Sequence, residues 1–330
     1  MSAAAEKTSE ESVRAKIASA EEPVSAFADA PFMRAMFVLN IVVFVAEVLY
    51  AASLPSPTGA PFVMRLLKAL LDIPSSVGLT FGANYASATL YDGRIDTLLA
   101  CCFLHGSFVH ITFNLIVLRA IGPFLERIVG TGRTAVLYVG AGIVSSMFST
   151  LEGWWWQQER VGVGASGAIC GLIGAAFVVG YRTAGKNSPL VRLTTGWMTT
   201  ILFFGLAVTL SKLGNFDNAA HVGGALSGAA IALLWQRGAE QPFRRTLGIG
   251  LAAGLIVATI AGVAVRDARD PFVAMLWPER VQAADLALRK GDCDGAWSAA
   301  LSAVRIARRD PQALHAITVV RSACGIPNSA

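Results

Sequence analysis

The chain has 330 residues, of which 54% are hydrophobic and only 15% charged, and its mean hydropathy is +0.56. Those values exclude an ordinary soluble domain and point to a protein built for a bilayer. The net charge of +5 sits mostly in basic residues beside apolar segments, so it calls for no nucleic-acid partner.

Residues 1–31 are polar, which places the first apolar run too far from the N-terminus for a typical signal peptide. That run reads as a retained membrane span. Seven stretches have the length and apolarity to cross a bilayer: Phe32 to Leu54, Leu98 to Ile121, Thr134 to Leu151, Ser166 to Arg182, Leu193 to Ser211, Ala219 to Trp235 and Leu247 to Val265. Each is near the ~17 to 25 residues that a helical span requires. They divide the chain into a polar N-terminal segment (1–31), a six-span core (32–235), a loop with a seventh span (236–265) and a small helical tail (266–330). The predicted fold class is an all-α polytopic membrane protein.

Between the first two spans, Phe62 to Leu71 is amphipathic and suits a helix lying in the membrane interface. In the second span His110 and Asn114 are four apart and share a face. If one helix runs through both histidines, His105 is rotated by roughly 140° from His110 and points elsewhere. Polar groups stacked inside a span suggest charge stabilisation, whereas His105 alone reads as a hydrogen-bonded core residue. Trp154, Trp155 and Trp156 suit the headgroup boundary.

Ser166 lies in Gly164-Ala165-Ser166-Gly167, where a loop enters the fourth span, and His221 opens the sixth. A hydroxyl and an imidazole inside hydrocarbon-length segments are costly, and they form a pair used for acyl transfer. Gly164, Gly167, Gly171 and Gly174 recur at spacings of three and four, while Gly224 and Gly228 line the sixth span on the face of His221. Such stripes let membrane helices approach closely, either as plain packing or to bring a short serine side chain to a histidine. Ser166 at a helix start also has unpaired backbone N-H groups beside it, suited to a developing oxyanion. The sequence is not the Gly-x-Ser-x-Gly elbow of a soluble hydrolase, because residue 168 is Ala and a loop precedes it. Asp217, four before His221, either orients the ring or is a solvated loop charge beside Asn215 and Asn218.

After Val265 the chain turns polar and rich in Ala and Arg. Ala283 to Asp292 followed by Ala296 to Arg308 reads as a helical hairpin, faintly like one tetratricopeptide unit, which docks a protein partner or packs on the outer loops. Cys293 and Cys324 are a candidate disulfide if the tail is outside the cell. No cofactor or metal is implied: His105 and His110 are five apart, no HExxH occurs and no carboxylate shares their predicted span.

Basic residues set the orientation. Arg34, Arg119, Arg127, Arg133, Arg182, Lys186, Arg192, Arg237, Arg244 and Arg245 fall on the N-terminal side; Arg65, Lys68, Arg94, Arg160, Lys212, Arg266 and Arg269 fall opposite. The bias predicts a cytoplasmic N-terminus and an outer C-terminus. Ser166, His221 and His110 then approach the same outer leaflet.

Phe103-Leu104-His105, His110, Asn114, Glu126 and Gly130, Gly164-Ala165-Ser166-Gly167-Ala168, and Ala220-His221-Val222-Gly223-Gly224 with Gly228 together resemble the rhomboid family of intramembrane serine proteases. The resemblance covers roughly Phe32 to Trp235, and the motifs keep the family's order. It implies a six-helix core plus one C-terminal helix, with Ser166 as nucleophile and His221 as general base without an acidic third member. It further implies His110, Asn114 and the Ser166 N-H as oxyanion donors. His105 would tie the second helix to the loop before Ser166, and Glu126 would fix the turn after the second span. Gly164, Gly167 and Gly224 would be structural neighbours of the site.

The resemblance implies substrates that are other transmembrane proteins, cut within the bilayer near its outer face, with the fifth helix beside their lateral path. Short loops and the lack of a targeting peptide suit a bacterial plasma membrane. Two departures stand out. The family's Trp-Arg in the first loop is replaced by Asp92-Gly93-Arg94-Ile95-Asp96-Thr97, and the aromatic residue four after the nucleophile is Cys170. The alternative is an inactive rhomboid-like protein that binds or escorts transmembrane clients.

Overall fold

The structure, a computed structural model, describes residues 27, 29–56, 59–158, 160–211, 216–235, 238 and 240–327. The polar segment expected over residues 1–31 lies almost wholly outside these, as do Lys212, Asn215 and Arg237. Among the described residues the architecture is all-α, with one isolated antiparallel backbone pair between Asn84 and Gly162.

The first span is α1 (Pro31–Ser53). It begins at a proline suited to the first helical turn, and two of its opening N-H groups, at Phe32 and Met33, donate to the Glu126 carboxylate at 3.1 and 2.8 Å. Glu126 therefore closes the start of the first helix, where the resemblance had it fixing the turn after the second. The carboxylate answers donors that no helix can satisfy internally.

The loop that follows is structured. It holds α2 (Phe62–Leu71), α3 (Ser75–Phe81), α4 (Ala86–Tyr91) and the short α5 (Thr97–Ala100), which continues into a 3-10 turn over Cys101–Phe103. As expected for an interfacial helix, α2 leaves Phe62, Val63, Met64, Leu67 and Leu71 exposed.

The second span differs from the expectation. Its helix α6 (Phe108–Val129) starts ten residues later than the predicted Leu98. Leu104 is extended, and Ser107 caps the helix by accepting the His110 N-H at 3.2 Å. His105 thus precedes the helix, and the rotation predicted for one continuous helix does not apply.

Four further apolar helices follow the expected spans: α7 (Thr131–Trp155), α8 (Ser166–Ala184), α9 (Pro189–Ser211) and, beyond a shorter one, α11 (Pro242–Asp267). The shorter one, α10 (Asn218–Leu233), has 16 residues, about 24 Å at 1.5 Å per residue. Among the described residues, six helices are long and apolar enough to cross a membrane, and α10 falls below that length.

At the centre, α8 packs between α7 and α10 with every residue from Gly167 to Ala176 buried. A Cβ added to Gly224 or Gly228 would strike the carbonyl oxygens of Gly167 or Gly171, and one on Gly174 would strike that of Ala225. Backbone meets backbone along this seam, which is the use of small residues where lipid offers no hydrophobic drive. The α9 helix is the opposite case, with Phe203 and Leu210 each 74% exposed.

The tail forms α12 (Trp277–Arg289), α13 (Cys293–Ile306) and α14 (Pro311–Ala323). The third helix exceeds the expected hairpin and supplies what a hairpin lacks. Val320 joins Ala284, Ala296, Ala299 and Ala300 in a small core, and a disulfide links Cys293 to Cys324. Trp154, at the end of α7, donates its indole N-H to Tyr91 of the loop between α1 and α6 at 2.9 Å, while Trp155 and Trp156 stay exposed.

Candidate active site

The His221 Nε2 and Ser166 Oγ atoms lie 2.7 Å apart although 55 positions separate them in the chain. The glycine seam makes this approach possible. Ser166 is the first residue of α8, His221 lies in the first turn of α10, and the two helix starts are held side by side. Gly167 sits against the Ser145 side chain, where a Cβ would collide.

The segment entering α8 is shaped by Gly164 at φ +130°, a conformation that L side chains rarely adopt. Gly164 therefore lies outside the helix and not on its stripe. A Cβ there would stand 2.8 Å from His110 Nε2 and 3.6 Å from Ser166 Oγ. The His110 ring and the Ser166 hydroxyl therefore both stand against Gly164. Asn114 is buried one turn along α6, where its Nδ2 donates to the His110 carbonyl at 3.2 Å. Among the described residues it makes no hydrogen bond to Ser166.

His105 is fully buried, and its ring stands edge-on to that of His110 with centroids 5.1 Å apart. The link from this segment to the loop before Ser166 runs through backbone: Gly164 N donates to Cys101 O at 2.9 Å. Two residues that sequence reasoning passed over hold the region. Glu47 of α1, 1% exposed, accepts the His105 N-H at 3.1 Å. A lone carboxylate within an apolar span was its signal. Asn84 pairs with Gly162 through backbone hydrogen bonds of 3.0 and 2.7 Å, while its amide donates to Ser146 O and Thr150 Oγ1 of α7.

The ring of His221 packs on Phe216 at 4.6 Å between centroids. An aromatic wall is thus present, but it comes from the segment before α10 and not from position 170, where Cys170 is buried. Asp217 caps α10 by accepting the Ala220 N-H at 2.9 Å, and the Ser149 hydroxyl also donates to it. Among the described residues His221 Nδ1 has no hydrogen-bond partner, so Asp217 serves the helix start and not the ring. No cluster of His, Cys, Asp and Glu among the described residues has the makings of a metal site.

Compared with protein families, residues 92–237 match the Rhomboid domain. This stretch of the chain carries a Rhomboid domain. Among relatives, the chain is 41% identical to RHOMBOID-like protein 5 of Arabidopsis thaliana over 139 residues, 42% of this chain and 43% of that one. It is 36% identical to Rhomboid-type serine protease 2 of Emericella nidulans over 173 residues (51% and 32%). With Rhomboid protease GluP of Bacillus subtilis it shares 33% over 164 residues (47% and 29%). The chain spans less than half the length of each of these relatives.

Proposed function

We propose that this protein is an intramembrane serine endopeptidase that cleaves transmembrane segments of other membrane proteins. The observation that carries the reading is the 2.7 Å contact between Ser166 Oγ and His221 Nε2 at the paired starts of two buried helices. His221 takes the Ser166 proton as Oγ attacks a peptide carbonyl, and returns it to the departing amine. The oxyanion faces His110 and the unpaired N-H groups opening α8. Water then hydrolyses the acyl-enzyme, with His221 again as base. His110 supplies a donor directly, and Asn114 acts by rotating its amide away from the His110 carbonyl.

Such chemistry needs water, so the recess opens to the outer aqueous phase. Asp92, beyond α1, touches Arg305 of the tail at 2.7 Å, which supports an even number of crossings between them. Counting α10 as a short crossing gives six, hence seven spans in all, with the outer loop and tail on one side. The disulfide supports an oxidising compartment for that side, in agreement with the basic-residue bias and a bacterial plasma membrane. Substrates approach past the lipid-exposed α9, and helices weakened by glycine or other poor formers expose their carbonyls most readily.

The test is cleavage of a model transmembrane substrate in proteoliposomes by the wild type, Ser166→Ala and His221→Ala. Cleavage by the wild type alone supports the protease. Binding of several such substrates with no cleavage by any form supports the escort reading instead.

A further inference from the structure

The outer loop that carries His105 does not close on itself. Its apolar centre, made of Leu79, Ala83, Tyr85, Ala88 and Leu104, includes one residue from the far end of the chain, Ile306 of α13, which is fully buried. Val161, Val163, Leu276 and Trp277 pack around the same cluster. Leu104 immediately precedes His105, and Val163 immediately precedes Gly164. One apolar cluster thus touches both segments that flank the Ser166 site, and the tail supplies its plug.

Polar contacts fix the same docking. Arg305 Nε lies 2.7 Å from Asp92 Oδ1, and Arg308 donates to the Tyr91 carbonyl at 3.2 Å with its guanidinium 6.0 Å from the Tyr91 ring centre. Arg266 at the end of α11 pairs with Asp96. All three anchors grip residues 91–96, the stretch where the Trp-Arg pair of the resemblance is replaced. Arg94 is buried there, its guanidinium 5.6 Å from the Tyr85 ring.

We propose that the C-terminal three-helix unit is a strut for the outer loop, with Ile306 and Arg305 as positioning residues that keep His105, His110 and the Gly164 segment in register with Ser166. The strut deepens the protease reading and rests on it for its effect on catalysis. Apolar insertion supplies most of the hold, since an ion pair made by a half-exposed arginine contributes little by itself. The ion pair sets which part of the loop the tail meets.

The experiment uses the full chain in proteoliposomes and compares the wild type with Arg305→Asp, Ile306→Ala and the charge-swapped pair Arg305→Asp with Asp92→Arg. It reads the rate of fluorophosphonate labelling at Ser166, substrate cleavage, and amide hydrogen exchange over residues 79–104. Arg305→Asp is expected to speed exchange in the loop and slow labelling about tenfold, the scale of a small displacement at a reacting group; the swap restores most of both. Ile306→Ala should do the same more strongly, and if it fails to fold the charge variants decide alone. Faster loop exchange with unchanged labelling would overturn the positioning role, as would a swap that restores nothing. Absence of labelling and cleavage in the wild type would defeat the protease reading, and with it the effect on catalysis. Loop exchange would then still decide the strut, unchanged exchange in Arg305→Asp overturning it.

Discussion

The Phe216 ring lies against the His221 ring at 4.6 Å and an interplanar angle of 55°. The aromatic wall of the His221 ring is therefore supplied five residues upstream in sequence, just before the helix that carries His221 in its first turn. Aromatic pairs of this kind contribute roughly 0.5–1.5 kcal/mol beyond their buried area. Phe216→Ala should slow cleavage by about two- to tenfold at saturating substrate, while Phe216→Tyr stays close to the wild type. Initial rates at several substrate densities decide it. Cys170→Tyr should not compensate, because Cys170 is wholly enclosed and enlarging it costs about 1–3 kcal/mol of stability.

The seam between α8 and α10 has no room for a methyl group. Gly224→Ala directs a Cβ at the Gly167 carbonyl, next to Ser166. Forcing the helices apart should destabilise the protein by about 1–3 kcal/mol and stretch the Ser166 to His221 hydrogen bond. Detergent unfolding gives the first effect, and the labelling rate of Ser166 gives the second. Gly254, with open space around its Cβ position, serves as the control, and Gly254→Ala should leave both unchanged.

Glu47 holds the segment before α6 through the His105 backbone N-H. Glu47→Leu leaves the buried His105 N-H without an acceptor, a loss of about 1–3 kcal/mol, whereas Glu47→Gln retains a carbonyl oxygen. Unfolding midpoints should order as wild type, then Gln, then Leu, and cleavage rates should follow. Equal midpoints for Gln and Leu would mean that the Glu47 to His105 contact carries no weight.

The tail is stapled across 31 residues of sequence by Cys293 and Cys324. Reducing the bond, or Cys293→Ser with Cys324→Ser, should lower the stability of the three-helix unit by about 2–4 kcal/mol. Hydrogen exchange should rise first in α12 to α14, since their own core is small and alanine-rich.

Hydropathy made the apolar helices legible, and glycine spacing showed which of them meet. The pairing of residues 166 and 221 was readable because both sit at helix starts beside small-residue stripes. The start of α6 was not readable, since Leu98 to Phe103 is as apolar as a span and only the cap at Ser107 and the extended Leu104 divide it. Misplacing that boundary also misplaced His105. Glu126 and Phe216 act on elements distant in sequence or before their own helix, where periodicity carries no information. The docking of Ile306 depends on a cavity in a loop more than 200 residues upstream, and local pattern is blind to such contacts.

The account turns on activation of the Ser166 hydroxyl by the His221 ring. The most direct measurement is the intact mass of the protein after treatment with a fluorophosphonate, followed by mapping of the adduct. One adduct per chain at Ser166 is predicted for the wild type, with none in His221→Ala despite its intact hydroxyl. An adduct at another serine, or undiminished labelling of Ser166 in His221→Ala, would contradict it.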